Sequence, residues 1–116
     1  MSLTIETSAQ DGQTVITASG ELDMASAAAL REIALGRIDA GDRCLIFDLS
    51  GLTFCDSAGL TVFVQAKNRC DELGAELRLA SPSGIVQRVL EISGLAEALP
   101  TYPTLADARL GAPSPL

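Results

Sequence analysis

The residues best placed to do chemistry lie at the end of the stretch Asp48-Leu49-Ser50-Gly51-Leu52-Thr53-Phe54-Cys55-Asp56-Ser57-Ala58-Gly59-Leu60. An apolar run ends at Asp48, a short loop is expected to follow, and Asp-Ser-Ala-Gly opens a predicted helix. A serine at that point sits where free backbone N–H groups point outward and added negative charge is tolerated. Its hydroxyl could accept a phosphoryl group without unfolding the domain. A plainer role is helix capping by Asp56 or Ser57, since both residue types accept bonds from those N–H groups. The two roles are compatible.

Other chemistries find less support. Cys55 precedes the same helix start, which lowers a thiol pKa, but the chain has no histidine to serve as its base. That absence removes Ser-His-Asp and Cys-His catalysis and most zinc and copper sites. Cys44, Cys55 and Cys70 show no CxxC spacing and fall in predicted strand, loop and helix. They read as reduced structural thiols, not as a metal site or a disulfide framework. Asp48 ends an apolar strand, as the aspartate of a phosphate-receiver domain does. Such domains also need an acidic pair after the first strand and a lysine at a later strand end. The only lysine, Lys67, falls within a predicted helix. Asp48 is better read as a loop-shaping residue that bonds backbone N–H groups and shapes the Ser57 turn. Neither GxGxxG nor GxxxxGK[ST] occurs, so no nucleotide site of those types is expected.

The elements that must position these residues follow from periodicity. Leu3, Ile5 and Thr7 alternate with polar residues as in a half-buried strand, Asp11-Gly12 is a hairpin turn, and Thr14–Ser19 returns. Gly20-Glu21-Leu22-Asp23 breaks that pattern. Asp23, or Ser26 in its place, caps a helix expected from about Ala25 to Ile38, with Leu30, Ile33, Ala34 and Ile38 at helical spacing and Gly41 as a stop. Cys44–Leu49 suits a central strand covered on both faces. The second helix is expected from Ser57 to Leu73, ended by Gly74, and Glu76–Ala80 alternates as a strand. A third helix follows Ser81-Pro82-Ser83 and carries Ile85, Val86, Val89, Leu90 and Ile92 to Gly94. Leu99–Tyr102 reads as a short edge strand, and Thr104 caps a last turn through Arg109. The predicted fold is one α/β domain over residues 1–110, with a mixed four- to five-stranded sheet: an antiparallel first pair, then parallel crossovers, packed with helices. Residues 111–116 are Gly/Pro/Ser-rich and read as a flexible tail.

The Asp48–Leu60 stretch resembles the signature of STAS-domain anti-sigma factor antagonists (anti-anti-sigma factors), in which the serine matching Ser57 is phosphorylated. Gly20-Glu21-Leu22-Asp23 matches the Gly-x-Leu-Asp found in many of these proteins. The segment from Val86 to Leu95 and the later Tyr102-Pro103 also look like the family. The resemblance implies a fold of the STAS type. It implies a partner-binding set of Gly20, Asp23, Asp56, Ser57, Ala58 and Gly59, with Ser57 the phosphorylation site. Ala58 departs from the pattern, since many members carry a second hydroxyl there, and it leaves Ser57 as the motif's sole acceptor. Gly59 would either pack closely at the helix start or leave room for a kinase.

The implied function is partner switching. The unmodified protein binds an anti-sigma factor that is also a serine kinase and so releases a sigma factor. Phosphorylation of Ser57 ends the complex, and a serine phosphatase resets it. The protein is then a substrate and a binding module, not an enzyme, with no cofactor or metal of its own. A STAS regulatory subunit of a membrane transporter complex is the alternative. Composition agrees with a cytoplasmic regulator. The 116 residues suffice for one core, and the net charge of −7 disfavours nucleic acid and anionic membranes while favouring a partner with a basic docking face. No signal peptide or membrane-length apolar run is visible, so no direct membrane insertion is expected.

Overall fold

The computed structural model describes residues 2–111. The residues expected to form the tail lie outside the described residues, apart from Gly111. Two strands, β1 (Leu3–Gln10) and β2 (Gln13–Leu22), form an antiparallel hairpin. Its turn places both Asp11 and Gly12 at positive φ, 54° and 78°. That is the geometry that suits the right-handed twist of the flanking strands. Helix α1 (Ala27–Asp39), strand β3 (Cys44–Asp48), strand β4 (Leu52–Cys55), helix α2 (Ser57–Leu73) and strand β5 (Glu76–Ala80) follow. Then come α3 (Gly84–Ile92), α4 (Leu95–Ala98), β6 (Thr101–Tyr102) and α5 (Leu105–Leu110).

The sheet order is β1-β2-β3-β5-β6, with β4 paired to β2 off that path. All pairings after the first hairpin are parallel. The expected architecture therefore holds, but the sheet has six strands where four to five were expected. The sixth is β4, which occupies the segment read as loop. β2 is long enough to serve two partners in turn: Gln13–Thr17 pair with β3, and Gly20–Leu22 pair with β4 across a register shift. The supposed break at Gly20-Glu21-Leu22 is thus a continuation of β2 through a bulge. Gly20 has φ +107°, and a Cβ there would run into the Ser2 carbonyl oxygen. Only glycine relieves both constraints.

Alternation of β3 divides the core. Leu45 and Phe47 face α1 and α2, where Leu30, Ala34, Ile38, Val62, Phe63, Ala66 and Cys70 pack. Phe47 and Phe63 meet edge to face with centroids 5.1 Å apart. Cys44 and Ile46 face the other way, onto Val15, Ala80 and Ala108 of α5. Burial on both faces explains the nearly unbroken apolar run of β3. Because the strands are parallel, the turns after β2, β4 and β5 share one pole of the domain, and α1 and α2 run back toward the other.

Candidate functional site

Helix α2 begins at Ser57, where the sequence places it, but the capping task falls to Asp56. The Asp56 Oδ1 accepts from the Gly59 N–H at 3.0 Å. Ser57 is exposed at the first helical position, and its carbonyl accepts from the Thr61 hydroxyl at 2.9 Å. Ser57 is therefore presented beside the cap without itself being the cap.

The second oxygen of Asp56 reaches across to the turn after β2. Oδ2 accepts from the Met24 N–H at 3.2 Å, and the Asp56 N–H donates to the Leu22 carbonyl at 3.1 Å. One carboxylate thus ties the two turns of this pole together. The β2–α1 turn is built by Asp23, whose Oδ1 accepts from the N–H groups of Ala25 (3.0 Å) and Ser26 (3.1 Å). Ser26 closes it by donating its hydroxyl to the Glu21 carbonyl at 3.0 Å. Asp23 does not cap α1. Ser26 occupies the cap position without a side-chain capping bond, and α1 starts at Ala27, two residues later than expected.

The other predicted residues divide by depth. Ala58 is half-buried beside Ser57, and Gly59 is buried. A Cβ on Gly59 would lie 2.7 Å from Leu22 Cγ and 2.8 Å from Cys55 Sγ. Gly59 therefore sits where α2 presses on β2 and β4, and close packing explains the glycine. Gly20 lies beneath the site: its N–H donates to the Gly51 carbonyl at 2.9 Å, and its carbonyl accepts from the Thr53 hydroxyl at 3.0 Å. Asp48 Oδ1 accepts from the Ser50 N–H at 3.1 Å. It shapes the turn from β3 into β4, and the whole of β4 separates it from Ser57.

Cys55 lies in strand β4, not in a loop, and is 3% exposed. Burial, with the Asp56 carboxylate adding to it, pushes its pKa up to about 12. That reverses the lowering expected from a helix start and leaves an inert thiol. Clefts of about 340 Å³, by Lys67 and Arg78, and about 520 Å³, by Gln87 and Tyr102, are lined by none of Cys55, Asp56 and Ser57.

Three residues at this pole take on a structural part that the sequence reading did not give them. Met24 is 81% exposed at the tip of the β2–α1 turn, and Phe54 is 45% exposed on β4. Glu21 pairs with Phe54 across β2 and β4, and its Oε1 is buried without a hydrogen-bond partner among the described residues. The available signal was an apolar residue directly after the Asp23 turn, where a polar one would be ordinary.

Comparison with known proteins places this geometry. The STAS domain profile matches residues 4–108. An anti-sigma-B factor antagonist of Staphylococcus aureus is 31% identical over 97 residues, covering 84% of this chain and 90% of that protein. A candidate anti-anti-sigma factor of Mycobacterium tuberculosis is 40% identical over 67 residues, 58% of this chain; the match spans less than half, 45%, of that relative's length. The crystal structure of an anti-sigma factor antagonist from Mycobacterium paratuberculosis superposes with a TM-score of 0.84 at 30% identity, over 95% of this chain and 93% of that one.

Proposed function

The chain belongs to the STAS domain family, and we propose that it acts as an anti-anti-sigma factor switched at Ser57. In this reading the unmodified protein binds an anti-sigma factor that is also a serine kinase, and a sigma factor is released. The kinase transfers the γ-phosphoryl group of ATP to the Ser57 hydroxyl, the hydroxyl proton is lost, and ADP leaves. A serine phosphatase hydrolyses the ester and restores the binding form. The protein is substrate and binding module in a cytoplasmic pathway, and ATP belongs to its partner.

The observation that carries this reading is the division of labour at the start of α2. Asp56 satisfies the helix end, so Ser57 is exposed and its modification removes no cap. A phosphate would add about −1.5 to −2 charge. The N-terminus of the 17-residue α2 would partly offset it, so the fold survives. Asp56 and Asp23 already make the surroundings negative, and a partner burying the enlarged charge would meet a steep desolvation cost. The switch then acts by blocking association, not by refolding. The named functions of the S. aureus and M. paratuberculosis relatives support the same assignment.

The test is phosphosite mapping by tandem mass spectrometry on protein isolated from its own cells, with a phosphatase-treated control. Phosphate on Ser57 is the expected result. A Ser57 that stays unmodified through growth and stress would sink the switch. A complex equally tight for Ser57→Ala and Ser57→Asp would sink it too.

A further inference from the structure

Charge is segregated along this molecule. The segments that build the Ser57 pole, residues 17–30 and 44–66, contain Glu21, Asp23, Asp48 and Asp56 and no lysine or arginine. The ion pairs of the described residues lie elsewhere: Arg37–Asp42, Lys67–Asp71, Arg69 with Asp39 and Glu72, and Arg78–Glu76. Among the described residues none of these four acids makes an ion pair, so no paired cation cancels their charge.

Within that acidic field stand two exposed apolar side chains, Met24 and Phe54. Lone exposed apolar residues are ordinary on any protein. Met24 differs because its backbone is fixed. The Asp56 carboxylate holds its N–H, the Asp23 carboxylate holds the next two N–H groups, and the Ser26 hydroxyl closes the turn onto Glu21. Phe54 is fixed by the pairing of β4 with β2. An apolar side chain on a pre-ordered turn loses little entropy when a partner covers it, which is the property of an interface anchor.

We propose that Met24 and Phe54 are apolar anchors of the partner interface, met by apolar partner side chains flanked by lysine and arginine that pair with Asp23 and Asp56. The occupant is a protein surface of that chemistry. This rests on the switching function above for the identity of the occupant, the kinase, but not for the existence of the surface. It makes Met24 a specificity-determining residue. The acids steer a basic partner in, and the apolar contacts set how long it stays.

The experiment places a photo-crosslinking amino acid at position 24, 54 or 72 of the full chain in its own cells and identifies adducts by mass spectrometry. Glu72, exposed at the far end of α2, is the control. The crosslinked protein is then purified and titrated with wild type, Met24→Asp and Leu73→Asp. The expected result is one shared adduct at 24 and 54, absent at 72, joined through a peptide containing lysine or arginine. Met24→Asp then binds it roughly tenfold or more weakly. Leu73→Asp binds as wild type, and both variants keep the wild-type melting temperature. An adduct protein without an ATP site overturns the kinase reading and leaves the surface standing. Adducts equal at all three positions, adducts at none, or Met24→Asp binding within twofold of wild type overturns the anchors. The phosphosite test then judges the kinase reading alone.

Discussion

The two ends of α2 hold their acidic residues in opposite ways. At its C-terminal end, Lys67, Arg69, Asp71 and Glu72 are matched charge against charge, with Asp39 of α1 drawn in at 2.7 Å from Arg69. At its N-terminal end, Asp56 and nearby Asp23 make no ion pair among the described residues. Their carboxylates bond backbone N–H groups and leave the charge uncancelled. Exposed surface pairs contribute little to stability. What they do is pair acids with cations at that end of the helix. Backbone-bonded acids do the reverse: they hold two turns rigid and keep them negative.

The largest effect expected at the acidic pole is on association. Ser57→Asp should weaken partner binding roughly 100-fold or more relative to Ser57→Ala, read by titration, because an added unpaired charge must be buried. Both variants should melt as wild type does. If Ser57→Asp also melted early, the pole would be a folding device and not a docking face.

Next come the glycines beneath the acids. Gly20→Ala and Gly59→Ala should each cost about 1–3 kcal/mol in denaturant unfolding, through the clashes at Ser2, Leu22 and Cys55. Asp56→Ala should follow at about 1 kcal/mol, the size of a lost cap. It should also increase hydrogen exchange at the Met24 amide. Protection unchanged at Met24 would break the claim that Asp56 joins the two turns.

The sequence made some of this legible and hid the rest for physical reasons. The α2 start, Gly74 as its stop, the Asp11-Gly12 hairpin and the two-faced burial of β3 were all readable, because each has its own local signature. Strand β4 was not. Four residues, Leu52-Thr53-Phe54-Cys55, are too few to show alternation, and they become a strand only because β2 is long enough to pair beyond β3. Gly20 misled for the same reason: a glycine that ends a strand and one that bulges within it look alike until the partner strand is known. Helix α4, four residues following Gly94, carried too little periodicity to be seen. At the site, the motif located Ser57 and Asp23. Which of Asp56 and Ser57 caps α2 turns on the local bond from Gly59, and that Asp56 also holds Met24 depends on a contact 32 residues apart in the chain.

Smaller effects would sharpen the contrast. Alkaline pH should destabilise the protein from about pH 9 upward. Burial raises Cys55 to about 12 and Cys70 to about 11 in the folded state, while the unfolded thiols ionise near 9. The unfolded chain then binds fewer protons in this window, so stability is complete below pH 9 and is lost as pH climbs toward the folded values. Melting temperatures from pH 8 to 11 should fall less steeply for Cys55→Ala than for wild type. At the far pole, Lys67→Ala should change stability by about 0.5 kcal/mol or less and leave partner binding untouched. A clear binding loss there would erase the distinction between the poles.

The tie between Met24 and Asp56 has a consequence in time as well as in space. The proposed docking face is two turns brought together by β2 pairing first with β3 and then with β4, and neither turn alone presents it. A chain caught before those pairings form, during synthesis or after partial unfolding, carries Ser57 but offers a partner nothing to read. If this face is read by a partner, recognition would also be an inspection that passes only chains that have finished folding.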